Sequence, residues 1–593
     1  MGHRKSTFHP TLLSIALLGM LVFSLAGCRG PADDTAPATT EAAKAGSLGS
    51  ADAGVPVRQN VSDFVQDDAL VAAFRQATET MRANSSADPS TVEFRTSLAF
   101  WANTHGYFGD GGNATSFKDT VDFRLPQCLG YFTDPPYEFS PEKATETCQE
   151  YYDAANQEFT PDEFSTGIWG TCQHTPSSCA VGDKECEIVR ATPRFLPWHR
   201  LYLYYYERTL RKYSGNDSFA LPYWDYFDYP ADEPAGNLWM PPLVTEGGST
   251  SANTFFDELR TLWLNEQQTS MTPENASARD AFAEPTFLDF SNALEGLPHG
   301  AMHCATGSGC TAPHIGWVPV AGNDPLFYMH HANIDRLWQC WMNEQAGGEP
   351  ITLEWAKANL GMPDEWYEVS YFFADENGNR ITKTIADAFS PEVLAVRYSE
   401  EVNCRIDQQA RDEMPVAMTL EAVHKEIDQG DVVLMSGKID LATRASDVDL
   451  SPEVQLLQES QSAAKDLLHA ASTASPGVWL VPENIVVKEA PSYTYNVYIS
   501  SKAAPEKRAL VTRFSFFGFG DHGGHGGHDG PRSLGTKRYY LNDDIHEIGI
   551  TSVADIAVQF VPNSAVTGEP LDREGESLIS IDSIRLITQP ESN

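Results

Sequence analysis

The chain reads as four textures. Residues 11–27 (TLLSIALLGMLVFSLAG) form one almost wholly apolar run, and residues 31–55 are rich in Ala, Thr, Gly, Ser and Pro. From residue 61 to about 404 the apolar positions fall at helical spacing and are dense in Trp and Tyr. The spacing predicts helices over 68–81 (DALVAAFRQATETM) and 201–212. Residues 405–414 are polar and read as a linker. Beyond them the period changes. Short runs at 432–439, 478–487, 493–499, 510–517, 556–561 and 578–587 are bounded by Gly, Pro, Asn or Asp. They predict strands of an antiparallel β-sandwich over 415–593.

Composition narrows the function. The chain has 593 residues, 41% hydrophobic and 11% aromatic, which is enough to bury a large core. Its net charge of −41 excludes nucleic acid as a main partner, because phosphate binding needs a basic surface. It also excludes docking on an anionic membrane through a basic patch. The first ten residues carry Arg4 and Lys5 and no acid, and the apolar run after them is a signal-peptide pattern, short for a membrane span. That run ends Leu25-Ala26-Gly27-Cys28, which resembles the bacterial lipobox. The expectation is a signal segment 1–27, lipidation of Cys28, and a flexible tether over 28–60. The chain would then be an exported lipoprotein, periplasmic or held at the outer membrane, meeting a membrane only through its lipid.

Chemistry concentrates in the histidines, of which there are 16. In Pro298-His299-Gly300-Ala301-Met302-His303, the two His lie four apart and share one helix face, so both rings can reach one metal. A zinc protease would place Glu directly after the first of them, where this chain has Gly300. The run at 324–338 (DPLFYMHHANIDRLW) opens with Asp324 as a helix N-cap and Pro325 as the first helical residue. Neighbours on a helix face about 100° apart, so only one of His330 and His331 is expected to point at a given site. A third segment, 195–207 (FLPWHRLYLYYYE), places His199 at the head of an aromatic helix.

These segments resemble the tyrosinase, catechol oxidase and haemocyanin family over about residues 100–398. The resemblance implies a mainly α catalytic domain over 61–404. It would be a four-helix bundle housing two copper ions, with three His per copper. Imidazole suits copper. His299, His303 and His331 match the second copper's ligands, and His330 does not. His199 and His105 match two ligands of the first. The family's remaining ligand precedes the Pro-Trp-His histidine by nine positions, where this chain has Arg190. Treating 175–190 as an insertion brings His174 to that spacing; otherwise His174 is a loop residue. Cys172, two before His174, stands as in fungal and molluscan members, where that Cys is linked to the His ring by a thioether; the alternative is a disulfide. With Cys28 and Cys172 set aside, eight of the ten cysteines remain, enough for four disulfides. Proximity favours Cys179–Cys186 and Cys304–Cys310.

The implied reaction takes dioxygen and a phenolic small molecule to an o-quinone and water. Glu295, one helical turn before His299, matches the family's water-holding carboxylate, a general base. Gly300 stands where strong monophenol hydroxylases carry Asn, which favours o-diphenol oxidation. Cys304 occupies another activity-tuning position. A strict tyrosinase, an o-aminophenol oxidase and, from another class, a reversible oxygen carrier are the alternatives. The runs at 371–379 (YFFADENGN) and 493–500 (YTYNVYIS) are similar to plant polyphenol oxidases, whose C-terminal domain covers the copper site until the linker is cut. The His-rich stretch 521–530 reads as a glycine-loosened loop.

Overall fold

A computed structural model describes residues 56–589. It leaves out 89, 107–127, 130–131, 134–137, 159–178, 181–189, 230–237, 247–252, 258–259, 261–270, 308–313, 401–432, 442–443, 449, 453–476, 489–490, 492, 515–530, 551, 565–569 and 573–576. Cys28, Cys172, His174, the linker 405–414, most of 175–190 and the His-rich stretch lie outside the described residues.

Six helices frame the first part: α1 (Asp68–Asn84), α2 (Leu98–Gly106), α3 (Phe195–Ser214), α4 (Phe287–Leu294), α5 (Ala301–Thr306) and α6 (Pro325–Ala346). Their starts follow the local chemistry. The Asp67 side chain accepts from the N–H groups of Ala69 and Leu70 to cap α1. Asp324 accepts from Leu326 N at 2.8 Å, Pro325 opens α6, and Gly347 closes it at φ +56°. α3 buries fourteen of its twenty residues, so its aromatic run is core and not surface.

The folded body begins before residue 61. Val57–Arg58, read from sequence as the end of the tether, pairs in parallel with Arg397–Tyr398. Arg58 is 2% exposed; it donates to Glu207 at 2.9 Å, to Asp335 at 3.3 Å and to the Tyr398 hydroxyl at 2.6 Å. Arg200 donates to the other Asp335 oxygen at 2.6 Å. A charge buried without partners would be expelled, so this network ties the first strand to α3 and α6.

The C-terminal part is antiparallel, as expected, and its described residues form three sheets. One runs in the order Ala504–Phe514, Tyr493–Ser501, Ile556–Ser564, Ser446–Val448. Tyr498 pairs with Leu510 on one side and Gln559 on the other. Three of the expected strands are each split: the 432–439 run gives Val433–Met435 and, from Ile439, a strand of another sheet. The 478–487 run breaks at Asn484 (φ +50°), and the 578–587 run breaks between Ile581 and Ser583. Tyr495, Val497 and Ile499 alternate into one core with Val478, Leu480, Ile485 and Val487.

The two parts pack together. Cys179–Ala180 joins the C-terminal sheet as an edge strand against Arg532–Ser533. Arg279 meets Asp544 at 3.1 Å, and Arg538 meets Glu284 at 3.6 Å. Burial pushes the Glu284 carboxyl from 4.5 up to about 8, and Arg538 offsets only part of that. A carboxyl that keeps its proton when folded and loses it near 4.5 when unfolded has a definite pH signature. Stability falls as pH rises from about 4.5 and levels off above about 8. Glu284→Gln is expected to flatten that part of the profile, measured as urea midpoints of the metal-free chain. A variant that keeps the wild-type slope would contradict the assignment.

Candidate metal centre

Six buried histidines meet between α2, α3, α5 and α6. His105 ends α2, His199 lies in the first turn of α3, and His303 lies on α5. His299 stands in the turn before α5, and His330 and His331 are on α6. None exceeds 2% exposure. Ring nitrogens of His299, His303, His330 and His331 lie within 4.8 Å of one another, and those of His105, His199 and His331 do likewise. His331 belongs to both groups. Its ring stacks on His199 at 4.4 Å, and its Nε2 is 3.2 Å from His303 Nε2.

The backbone sets which nitrogen of each ring faces inward. His105 Nδ1 is 3.0 Å from Val318 O, and His199 Nδ1 is 2.9 Å from Phe195 O. His299 Nδ1 is 2.9 Å from Glu295 O, and His303 Nδ1 is 2.6 Å from Ile315 O. A carbonyl only accepts, so each Nδ1 carries the proton and each Nε2 presents a lone pair. Phe195 and Phe327 wall the site, with Phe195 4.5 Å from His299 and Phe327 4.1 Å from His331. Burial, and then the neighbouring histidines, hold His330 and His331 well below the usual imidazole range. They are neutral at pH 7, the form that binds a metal. The donor set fits copper: imidazole nitrogens, buried, with no carboxylate in either group.

Two sequence expectations need correction. Only one of His330 and His331 was expected to reach the site, yet both rings do. A ring nitrogen of each lies in the group with His299 and His303, and His331 alone also joins His105 and His199. His330 stacks on His299 at 5.4 Å, with its Nδ1 2.8 Å from the Tyr226 hydroxyl. Nor does a regular helical turn link Glu295 to His299. Leu297 is extended (φ −140°, ψ 121°) ahead of Pro298, although the Glu295 carbonyl still meets His299 Nδ1. Glu295 caps the C-terminus of α4 and is half-buried.

Gly300 is buried directly after His299, and Cys304 is buried and disulfide-bonded, as is Cys340. A Cys128–Cys148 disulfide, which sequence proximity did not favour, is also present. Sequence reasoning missed Tyr226 and the carbonyls of Ile315 and Val318. Backbone acceptors leave no mark in side-chain pattern.

A buried polyhistidine centre between helices defines a metalloprotein. Residues 168–261 and 245–344 match the common central domain of tyrosinase. A tyrosinase of Hahella sp. (strain CCB-MM4) is 26% identical over 310 residues, covering 47% of this chain and 59% of that one. Catechol oxidase B of Solanum tuberosum is 29% identical over 259 residues, covering 38% and 41%. The latent form of a Prunus armeniaca polyphenol oxidase is 28% identical over 233 residues, covering 35% and 37%. The chain thus spans less than two thirds of these relatives. A solved latent aurone synthase (polyphenol oxidase) is similar at 17% identity with a TM-score of 0.49, over 92% of this chain and 91% of that one. Residues 168–344 are thus similar to the common central domain of tyrosinase, and the relatives by sequence are tyrosinases and polyphenol oxidases.

Because His331 joins both groups, His331→Ala is expected to lower copper bound per chain by at least one ion. His330→Asn is expected to leave it unchanged. Elemental analysis after reconstitution and desalting measures both. Equal loss in the two variants would contradict the reading of His331, and not His330, as a ligand.

Proposed function

We propose that the chain is a copper polyphenol oxidase that takes o-diphenols to o-quinones with dioxygen and is held latent by its C-terminal part. The observation that carries the reading is the pair of buried histidine groups sharing His331. Two copper ions would be held by His105, His174 and His199, and by His299, His303 and His331, with Cys172 fixing the His174 ring through a thioether. When bound, the metal pair supplies the redox chemistry: two diphenols give up four electrons and four protons, and one dioxygen becomes two waters.

The chain's own residues do the rest. The carbonyls hold each imidazole in the tautomer that leaves Nε2 for the metal. Phe195 and Phe327 exclude water and wall the site. Glu295 takes the phenol proton directly or through one water. Gly300, lacking a side chain that could hold a second proton acceptor beside His299, favours diphenols over monophenols, and Cys304 limits movement behind His303 through its disulfide. Latency has support in this chain too. Lys537, from the C-terminal part, lies within electrostatic reach of Glu295 and Arg190. Burial pushes its ammonium down to about 8, and Arg190 adds to that while Glu295 opposes it.

An exported lipoprotein anchored through Cys28 fits the first 28 residues; no helix among the described residues is long and apolar enough to cross a membrane.

Three outcomes follow. Limited proteolysis near residues 405–414 is expected to raise turnover of 4-methylcatechol, and equal rates before and after cutting would remove latency. Glu295→Gln in the trimmed chain is expected to lower kcat about 100- to 10,000-fold. In parallel assays, tyramine is expected to react far more slowly than the catechol. Comparable rates with a lag would make the chain a strict tyrosinase.

A further inference from the structure

Two ligands on different helices lean on one short segment. Residues 314–324 run through two tight turns, His314–Gly316 and Val318–Asn323, between α5 and α6. The Ile315 carbonyl accepts from His303, and the Val318 carbonyl accepts from His105. One segment therefore orients a ligand from each histidine group. Its last residue, Asp324, caps α6, which carries the shared His331.

Charge holds both ends of this segment. At the front, His314 Nδ1 is 2.5 Å from Asp257 Oδ2. At the back, Arg260 Nη1 meets Asp324 Oδ1 at 2.7 Å and Oδ2 at 3.0 Å. Asp257 and Arg260 stand three residues apart, and Asp257 Oδ1 accepts from Arg260 N at 3.2 Å. Arg260 Nη2 donates further to Val244 O and Phe255 O. All four side chains are at most 5% exposed, so these bonds are not screened by water. Glycines hold the flanks. A Cβ on Gly316 would sit 2.6 Å from Gly307 O, and one on Gly322 would sit 2.8 Å from the Cα of Ala102, on α2. The segment is thus fixed to the end of α5, to α2 and to α6. His314 adopts φ +63°, a conformation rare outside Gly and Asn, and keeps it while bonded to Asp257.

We propose that Asp257 and Arg260 are positioning residues for the metal centre: they clamp both ends of the bridge that orients His105 and His303, and so tune the two metal positions together. The proposal rests on the copper reading above. Through their side chains Asp257 and Arg260 bond the segment and backbone carbonyls, and nothing in their sequence surroundings marks them. Loss of a direct ligand removes copper from one position. Loosening the bridge weakens both.

The test is chelator competition on the full chain loaded with Cu(II), alongside urea stability of the metal-free protein. Arg260→Met is expected to weaken copper binding at both positions in parallel, by about 10- to 100-fold, the range for residues that orient metal ligands. His314→Gly, which suits the left-handed backbone, is expected to act in the same direction, and Arg260→Lys covers the case in which Arg260→Met does not fold. Leu360→Ala, a buried core truncation, serves as the control: it is expected to lower stability and keep copper affinity within twofold. The proposal falls if the Arg260 and His314 variants lose stability yet hold copper as the wild type does. It also falls if copper leaves one position only. A wild-type chain that holds no copper at all would remove the copper reading and this inference with it.

Discussion

Everything at the centre of this protein depends on one kind of hydrogen bond. A backbone carbonyl takes the Nδ1 proton of an imidazole, four times over, at His105, His199, His299 and His303. Each bond fixes a tautomer and a ring orientation, and together they turn Nε2 lone pairs toward a common space. Two carbonyls lie four residues before their histidine, Phe195 along α3 and Glu295 across the break at Leu297. The other two come from the separate segment 314–324. Helix packing therefore does not finish the site; a segment wedged between helices does.

That division explains what was legible in the sequence. Helical spacing gave α1, α3 and α6, and Asp324-Pro325 gave the start of α6 almost to the residue. Period-two runs gave the C-terminal strands, with breaks missed after Met435, at Asn484 and at Asp582 because local backbone geometry has no period. The histidines stood out because their neighbours are aromatic. Their arrangement was less legible. The 100° rule failed for His330 and His331, because a ring nitrogen of each reaches the one group with His299 and His303. The four-residue spacing of Glu295 and His299 suggested a helical turn that Leu297 interrupts. Val57–Arg58 read as tether because the partners of Arg58, Glu207 and Asp335, lie far along the chain. Likewise nothing local marks Asp257 or Arg260.

The charge on the chain and the chemistry of its centre are separate matters. A net charge of −41 belongs to the surface, while neutral imidazoles carry the centre. Charge matters inside only where it is paired: Arg58 with Glu207 and Asp335, Arg260 with Asp324, and Arg279 with Asp544. Each pair joins segments far apart in sequence, and the last joins the helical part to the C-terminal sheets. The helical part and the C-terminal sheets are thus joined by ion pairs such as Arg279–Asp544 and Arg538–Glu284 and by an edge strand at Cys179–Ala180.

The most direct measurement is the ratio of dioxygen consumed to catechol oxidised by the copper-loaded chain after its C-terminal part is cut away. Four electrons from two diphenols reduce one dioxygen to water, so the predicted ratio is one to two, with no peroxide released. Reversible uptake of dioxygen without loss of catechol would contradict the account and make the chain a carrier. Consumption of catechol with peroxide accumulating would contradict the paired copper centre.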